Sequence, residues 1–337
     1  ELADDGCAVV FADSYGHQPY ILEAAMEYPE VQFTSCTGDM ALAEGVENYH
    51  NAFAAIYEGR YLAGVAAGEY LIEQGHTADE QIKVGYVGAW PYAEVISGYT
   101  SWYLGVRSVM KNATMLVTYT NTWWGYDEEK QAAQQLIAAG CKLISQHADS
   151  FGAPDACAEA EIPNVSYNMS TAEKDEKYKG TYIAHSRINW QPYYEEIIEA
   201  TSTGRKIKGE SEQNWTGTLA DGSVEIGLSD TLLSTEGKEK VEKVKKALKD
   251  GSLKVFDTDT FTVKESAGKP GGFVKGENFD YDKDGHLTML KADIRDEEPL
   301  YERDTDIVDK ENKVVLESYY RSAPAFDIII DGIDFLK

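Results

Sequence analysis

The stretch "IKVGYVGAWPYAEVISGYTSWYLGVRSVMKNATMLVTYTNTWW", residues 82–124, decides the fold. It opens on an apolar burst ending at Trp90, passes a Pro-bearing turn, and continues with helix-spaced apolar residues to Lys111. A second apolar burst follows from Thr114. Strand, helix and strand in that order predict two parallel strands joined by a crossover helix. The alternation extends both ways: "CAVVFAD", "YILEAAMEY", "VQFTSCTG" and "AAIYEGRYLAGVAAGEYLIEQG" precede it, and "EEKQAAQQLIAAG" and "KLISQHADS" follow. The pattern predicts an α/β protein, a mostly parallel sheet with helices on both faces.

A chain of 337 residues suits two lobes better than one small core. With 58 acidic against 31 basic residues the formal charge is -27, which opposes contact with phosphate backbones or anionic lipid. The Lys-rich run from Lys238 to Lys249 alternates with Glu239 and Glu242 and reads as a solvated helix face, with Ser234 or Thr235 as N-cap and Gly251 just past the end. No segment has the roughly 18 uninterrupted apolar residues that span a bilayer. Cys7, Cys36, Cys141 and Cys157 lack CxxC spacing, and with six His this argues against structural zinc. Spacing selects no disulfide pairing; Cys7 and Cys141 each open an apolar run, which favours buried free thiols.

In sheets of this kind, ligands bind outside the carboxyl ends of the strands. The loops there read "ADSYGH" (12–17), "GAWPYAE" (88–94), "TNTWWG" (120–125), "QHADSF" (146–151), "YNMST" (167–171) and "HSRINW" (185–190). Recurrent aromatics beside amides, hydroxyls and carboxylates suit a planar ring held between aromatic faces and addressed at its edge. No GxSxG elbow, phosphate-binding Gly loop or HExxH accompanies them. His147, Asp149 and Ser150 share one loop, too close in sequence to align as nucleophile, base and orienter. Past Trp190 the pattern changes: Asp221-Gly222 in "NWTGTLADGSVEIGL" predicts a hairpin, and residues 255–315 read as polar decoration.

The motifs "YPEVQF", "EGRYLAGVAAG", "TNTWW", "LIAAGCKLISQHADS", "INWQPYY" and "DIIIDGI", with residues 83–109, occur in the order of a known family. The chain resembles the basic membrane protein (BMP) family of ABC-transporter substrate-binding lipoproteins, the purine nucleoside receptor group. The resemblance runs from residue 6 to about 230 and resumes at the C-terminus. It implies a type I periplasmic-binding-protein fold: two doubly wound parallel-sheet lobes with a ligand cleft between them. The implied lobes are 1–118 plus 188–208, and 119–187 plus 209–315 with the insertion near 255–315; 316–337 ties into a lobe. Crossings are expected at Tyr119–Thr122, His185–Asn189 and Lys208–Asn214.

The resemblance further implies a monomer outside the cytoplasmic membrane, at the cell surface or in the periplasm, lipid-anchored in its intact precursor. It would deliver a purine nucleoside or purine base to an ABC permease, with no cofactor, no nucleic-acid partner and no catalysis. Family chains begin with a further strand and helix that carry ligand contacts. A parallel sheet lacking a central strand leaves an unpaired edge, so an incomplete N-terminus is expected.

The candidate contacts are Ser14, Tyr15 and Gly16, with Tyr15 either against the ligand or packing, and Trp90 and Glu94. Glu94 either bonds a ring nitrogen or sugar hydroxyl, or serves the first turn of its helix. Adjacent side chains on extended backbone point to opposite faces, so one of Trp123 and Trp124 is expected in the cleft and the other in a lobe; the resemblance implies that Trp123 is the ligand-facing ring. His147 and Asp149 follow as edge contacts, and Asn168 stands where the family usually has Asp. Asn189 and Trp190 complete the set, the latter also fitting a packing role. Asp280, Asp282 and Asp284 match half of an EF-hand loop whose twelfth position is Lys291 in place of Glu, making them a weak metal candidate. A sugar in the same fold is the alternative ligand, and a nucleoside-processing enzyme or a DNA-binding sensor the alternative classes.

Overall fold

The structure, a computed structural model, describes residues 1–207, 213–264, 279–281, 287–289, 308–309, 311–319 and 321–336. The chain begins with β1 (Val9–Ala12), α1 (Gln18–Glu27), β2 (Gln32–Cys36), α2 (Ala41–Glu44) and β3 (Tyr49–Ala54). After α3 (Ile56–Glu73) come β4 (Lys83–Gly88), α4 (Ala93–Val109), β5 (Thr114–Tyr119), α5 (Tyr126–Ala138), β6 (Ile144–Gln146), α6 (Gly152–Glu159), β7 (Asn164–Tyr167) and β8 (Tyr182–Ile188). The chain then forms α7 (Gln191–Thr203), β9 (Asn214–Gly217), β10 (Val224–Leu228) and α8 (Thr235–Lys249), and a C-terminal strand at Ile333–Phe335.

Two main sheets result. One is parallel, in the order β1-β2-β3-β9. The other has seven strands, β10-β8-β7-β6-β4-β5 and then the C-terminal strand, with β10 antiparallel to β8. Strand β3 is buried along its length and β4 in all but its first residue, as parallel strands covered on both faces must be.

Helix α3 is buried on every side because α4 lies directly on it. A Cβ on Gly64 would sit 2.0 Å from the Trp102 carbonyl oxygen, and one on Gly105 2.1 Å from that of Tyr61. Only glycine lets the two backbones approach this closely. Trp102, Tyr99 and Tyr103 fill the core around the contact. The amphipathic helix α8 begins as the sequence predicts, the Ser234 side chain accepting from the Gly237 amide at 3.1 Å. Lys240 ties α8 to α3 through Glu69, at 2.9 Å.

The sheets divide the chain differently from the expected lobe boundaries. Strands β4 and β5 were expected with the first lobe, yet β4 is paired with β6 in the seven-stranded sheet. The chain therefore leaves the first sheet at Ala55, and not at Tyr119–Thr122. The expected crossing at His185–Asn189 coincides with the passage from β8 to α7, whose buried face packs beside Cys36 and Ala52 of the first sheet. No crossing separates α7 from β9, which stand on that same sheet; residues 208–212 lie outside the described set. The third passage is Thr218–Ser223. The predicted Asp221-Gly222 hairpin is not formed, because β9 pairs with β3 while β10 pairs with β8. The turn keeps its local chemistry, Asp221 accepting from the amides of Thr218 and Ser223. What it connects is two sheets.

All four cysteines are free thiols, three of them buried. Among the described residues no helix is long and apolar enough to cross a membrane, and no group of three or more His, Cys, Asp or Glu could hold a metal. The carboxylates of Asp280, Asp282 and Asp284 lie outside the described residues. The strand Phe279–Tyr281 pairs antiparallel with Leu287–Met289.

Candidate functional site

The loops after β1, β2, β4, β5, β6 and β7 converge where the carboxyl ends of the two sheets meet. The Tyr15 ring, from the first sheet, lies 6.0 Å from that of Tyr92 in the second. Tyr92 is the hub of an aromatic row: Trp90 stacks on it at 5.8 Å and 12°, Trp123 lies 6.1 Å away, and His147 lies 6.3 Å beyond Trp123. Tyr15 also points its hydroxyl at Asp39, at 3.4 Å, and burial together with that carboxylate pushes the phenol up to about 12. Ser14 precedes the short turn that presents Tyr15. A Cβ on Gly16 would meet nothing within 4 Å, so its backbone faces open space and no neighbour demands glycine there.

Behind this row lies a buried polar chain. His147 is 1% exposed, with Nε2 3.4 Å from Glu94 Oε1 and Nδ1 3.1 Å from Arg60 Nη2. Arg60 also donates to the Gln146 carbonyl at 2.8 Å, and its guanidinium lies 3.4 Å from the Tyr167 ring centre. Gly98 makes room for this: a Cβ there would stand 3.0 Å from His147 Nδ1. Glu94 lies in the first turn of α4, whose N-cap, Tyr92, makes no side-chain capping bond. Burial pushes its carboxyl up to about 7, against the pull of Arg60. Asp149 is reached by solvent but set in a concave wall; desolvation and the neighbouring Glu94 push it up to about 6. Asn168, in left-handed backbone at φ 64°, donates to Asp149 at 3.3 Å. Burial and Arg60 hold the His147 pKa well below the usual imidazole range.

The loops are anchored from below. Glu129, fully buried, accepts from the amides of Gly125 and Ser150 at 3.1 Å each, clamping the loop after β5 to the loop after β6. The Asp149 amide donates to the Trp123 carbonyl at 2.9 Å, closing the same seam. Such support holds the ring of Trp123 and the carboxylate of Asp149 in place before any ligand arrives.

Of the predicted residues, Tyr15, Trp90, Glu94, Trp123, His147, Asp149 and Asn168 come together. Trp124 does not pack into a lobe; it is 66% exposed, because the turn at Thr122–Gly125 is not extended strand. Asn189 and Trp190 have partners elsewhere. The Asn189 amide group donates to the Gly222 carbonyl and accepts from the Gln191 amide, and Trp190 packs with the cluster around Tyr193 and Ile197. Sequence reading missed Tyr92, Asp39, Glu129 and Arg60. The signal for Arg60 was present: a lone cation within the apolar run of α3.

The family profile described as ABC transporter substrate-binding protein PnrA-like, Bmp, matches residues 1–255. A purine-binding protein of Brucella abortus is 28% identical over 255 residues, covering 76% of this chain and 67% of the relative. A Haloferax volcanii protein named for glucose binding in an ABC transporter is 30% identical over 204 residues, 60% of this chain. This chain spans about half of that relative's length, 48%. Among solved structures, an ABC transporter solute-binding protein of Conexibacter woesei superposes with TM-score 0.57 at 22% identity, over 75% of this chain and 80% of that one. That likeness bears on the fold alone. Two parallel-stranded sheets, a cleft at their carboxyl ends and a profile covering three quarters of the sequence agree: the chain belongs to the PnrA-like substrate-binding proteins of ABC transporters, the BMP family, whose members bind solutes for transport and are not enzymes.

Proposed function

We propose that this chain captures a purine nucleoside or free purine base outside the cytoplasmic membrane and hands it to an ABC permease. It acts as a monomer whose intact precursor is lipid-anchored, and its two sheets belong to two lobes that close on the ligand. The observation that carries the reading is the row Tyr15, Tyr92, Trp90 and Trp123 beside the carboxylates of Glu94 and Asp149. Aromatic faces stack on a base regardless of its substituents, and a partly buried carboxylate such as Glu94 penalises a ring that offers it no donor. The purine-binding relative from Brucella supports the same ligand class.

A sugar is the second reading, favoured by the Haloferax relative's name and by the fit of aromatic faces to sugar rings. Calorimetry of the ligand-stripped protein against adenosine, guanosine, inosine, adenine, ribose and glucose separates the two. Binding of a nucleoside or base is expected; binding of ribose or glucose alone, or of none of the six, overturns the purine reading.

A further inference from the structure

Arg60 reaches neither solvent nor an adjoining carboxylate by direct hydrogen bond, being 1% exposed and bonded to a carbonyl and an imidazole. Burying a guanidinium is costly, so its donors must serve a purpose where they point. A guanidinium only donates, so Nδ1 of His147 must accept, and a neutral imidazole then carries its single proton on Nε2. The Tyr86 hydroxyl, which can donate or accept, lies 3.4 Å from the same Nδ1. The groups facing the ring are Arg60 from α3, Tyr86 from β4, Glu94 from α4, Trp123 from the loop after β5 and Tyr167 from β7. Of these only Glu94 accepts from Nε2, and at 3.4 Å that bond is long. Glu94, partly exposed, thus fronts the cleft as an acceptor, with His147 buried directly behind it. Its complement is a donor, as on an amide or amidine edge.

We propose that Arg60 is a positioning residue that fixes the His147 proton on Nε2, so that His147 donates to Glu94 and holds its carboxylate to read the donor on the amide or amidine edge of a planar heterocycle. Hypoxanthine presents such an edge at O6 and N1–H, adenine at N7 and its amino group. The tautomer half stands on the geometry alone; the edge-reading half rests on the purine reading above.

Long-range proton–nitrogen correlation of the imidazoles in the 15N-labelled chain tests the first half. The expected result is the Nε2–H tautomer, unchanged between about pH 5.5 and about pH 8; an Nδ1–H tautomer, or an imidazolium within that range, overturns it. Arg60→Met keeps the volume and removes the donors, and is expected to give a tautomer mixture. It should also lose roughly ten-fold or more of the preference for hypoxanthine over unsubstituted purine, read by calorimetry. Arg60→Lys, which keeps the charge and an ammonium that donates, should restore part of that preference. An unchanged preference in Arg60→Met overturns the edge-reading half alone. Failure of the native protein to bind either heterocycle, as free base or as ribonucleoside, overturns it together with the purine reading. Should both variants misfold, the native spectrum still decides the tautomer.

Discussion

The two walls of the cleft are built differently. On the seven-stranded side, Trp123, Glu94, His147 and Asp149 are held from behind by Arg60, Tyr86 and Glu129, all buried. On the four-stranded side, Tyr15 is 41% exposed and rests on Asp39, which is fixed in turn by Gln18 and by Arg321 at 3.9 Å. A wall ordered in advance costs little to immobilise on binding, whereas an exposed one gains its order from the ligand. On the purine reading proposed above, the contrast would give ring recognition to the first wall and coverage of the ring to the second.

The contrast breaks first at the core that stiffens the seven-stranded side. Trp102→Ala, at the α3–α4 contact, is expected to destabilise the protein by about 3–5 kcal/mol, read from the urea midpoint. A loss under about 1 kcal/mol would remove the stiff wall from the comparison. Next in size is the pair of tryptophans. Trp123→Ala should weaken ligand binding by about 1–3 kcal/mol in calorimetry, while Trp124→Ala should change it by less than about 0.5 kcal/mol. Equal losses would mean that both rings meet the ligand.

The smallest effect is on pH dependence. Glu94 and Glu317 are pushed up to about 7 and Asp149 to about 6, chiefly by burial. A carboxyl whose folded pKa is raised binds protons more tightly folded than unfolded. Its contribution is fully present below the unfolded value of about 4 and is lost as pH rises through the folded value. Melting of the ligand-free protein should therefore move up by a few degrees between about pH 8 and about pH 5. Glu94→Gln should flatten that slope; an identical slope in the variant would take Glu94 out of the account.

The alternation of apolar bursts and helical spacing carried the fold where strands are apolar, as in β4, buried in all but its first residue; β3, whose buried His50 and Asn51 interrupt the apolar pattern, was not legible as a strand. Which sheet a strand joins left no trace. β4 reads the same whether its neighbour is β3 or β6, and Asp221-Gly222 makes the same turn whether it joins paired strands or two sheets. At the site, aromatics at strand ends were legible, since loops there have few other reasons to carry them. The role of Arg60 was not: a lone cation in the apolar run of α3 marks the residue, but its partner lies 87 positions away and only folding brings it alongside.

The three passages between the sheets are stitched together. The Ala55 amide donates to the Gly217 carbonyl at 2.7 Å, the Asn189 amide to the Ser223 carbonyl at 2.8 Å, and the Leu219 amide to Glu58 at 2.7 Å. Three separate connections would give three independent pivots. Laced by two main-chain bonds and one amide–carboxylate bond, they would bend as one strip, and rotation of one sheet against the other would be reduced to a single mechanical degree of freedom. Torque applied at the tip of either lobe is then carried along the whole width of the strip, and sideways slip of the sheets would require those bonds to break.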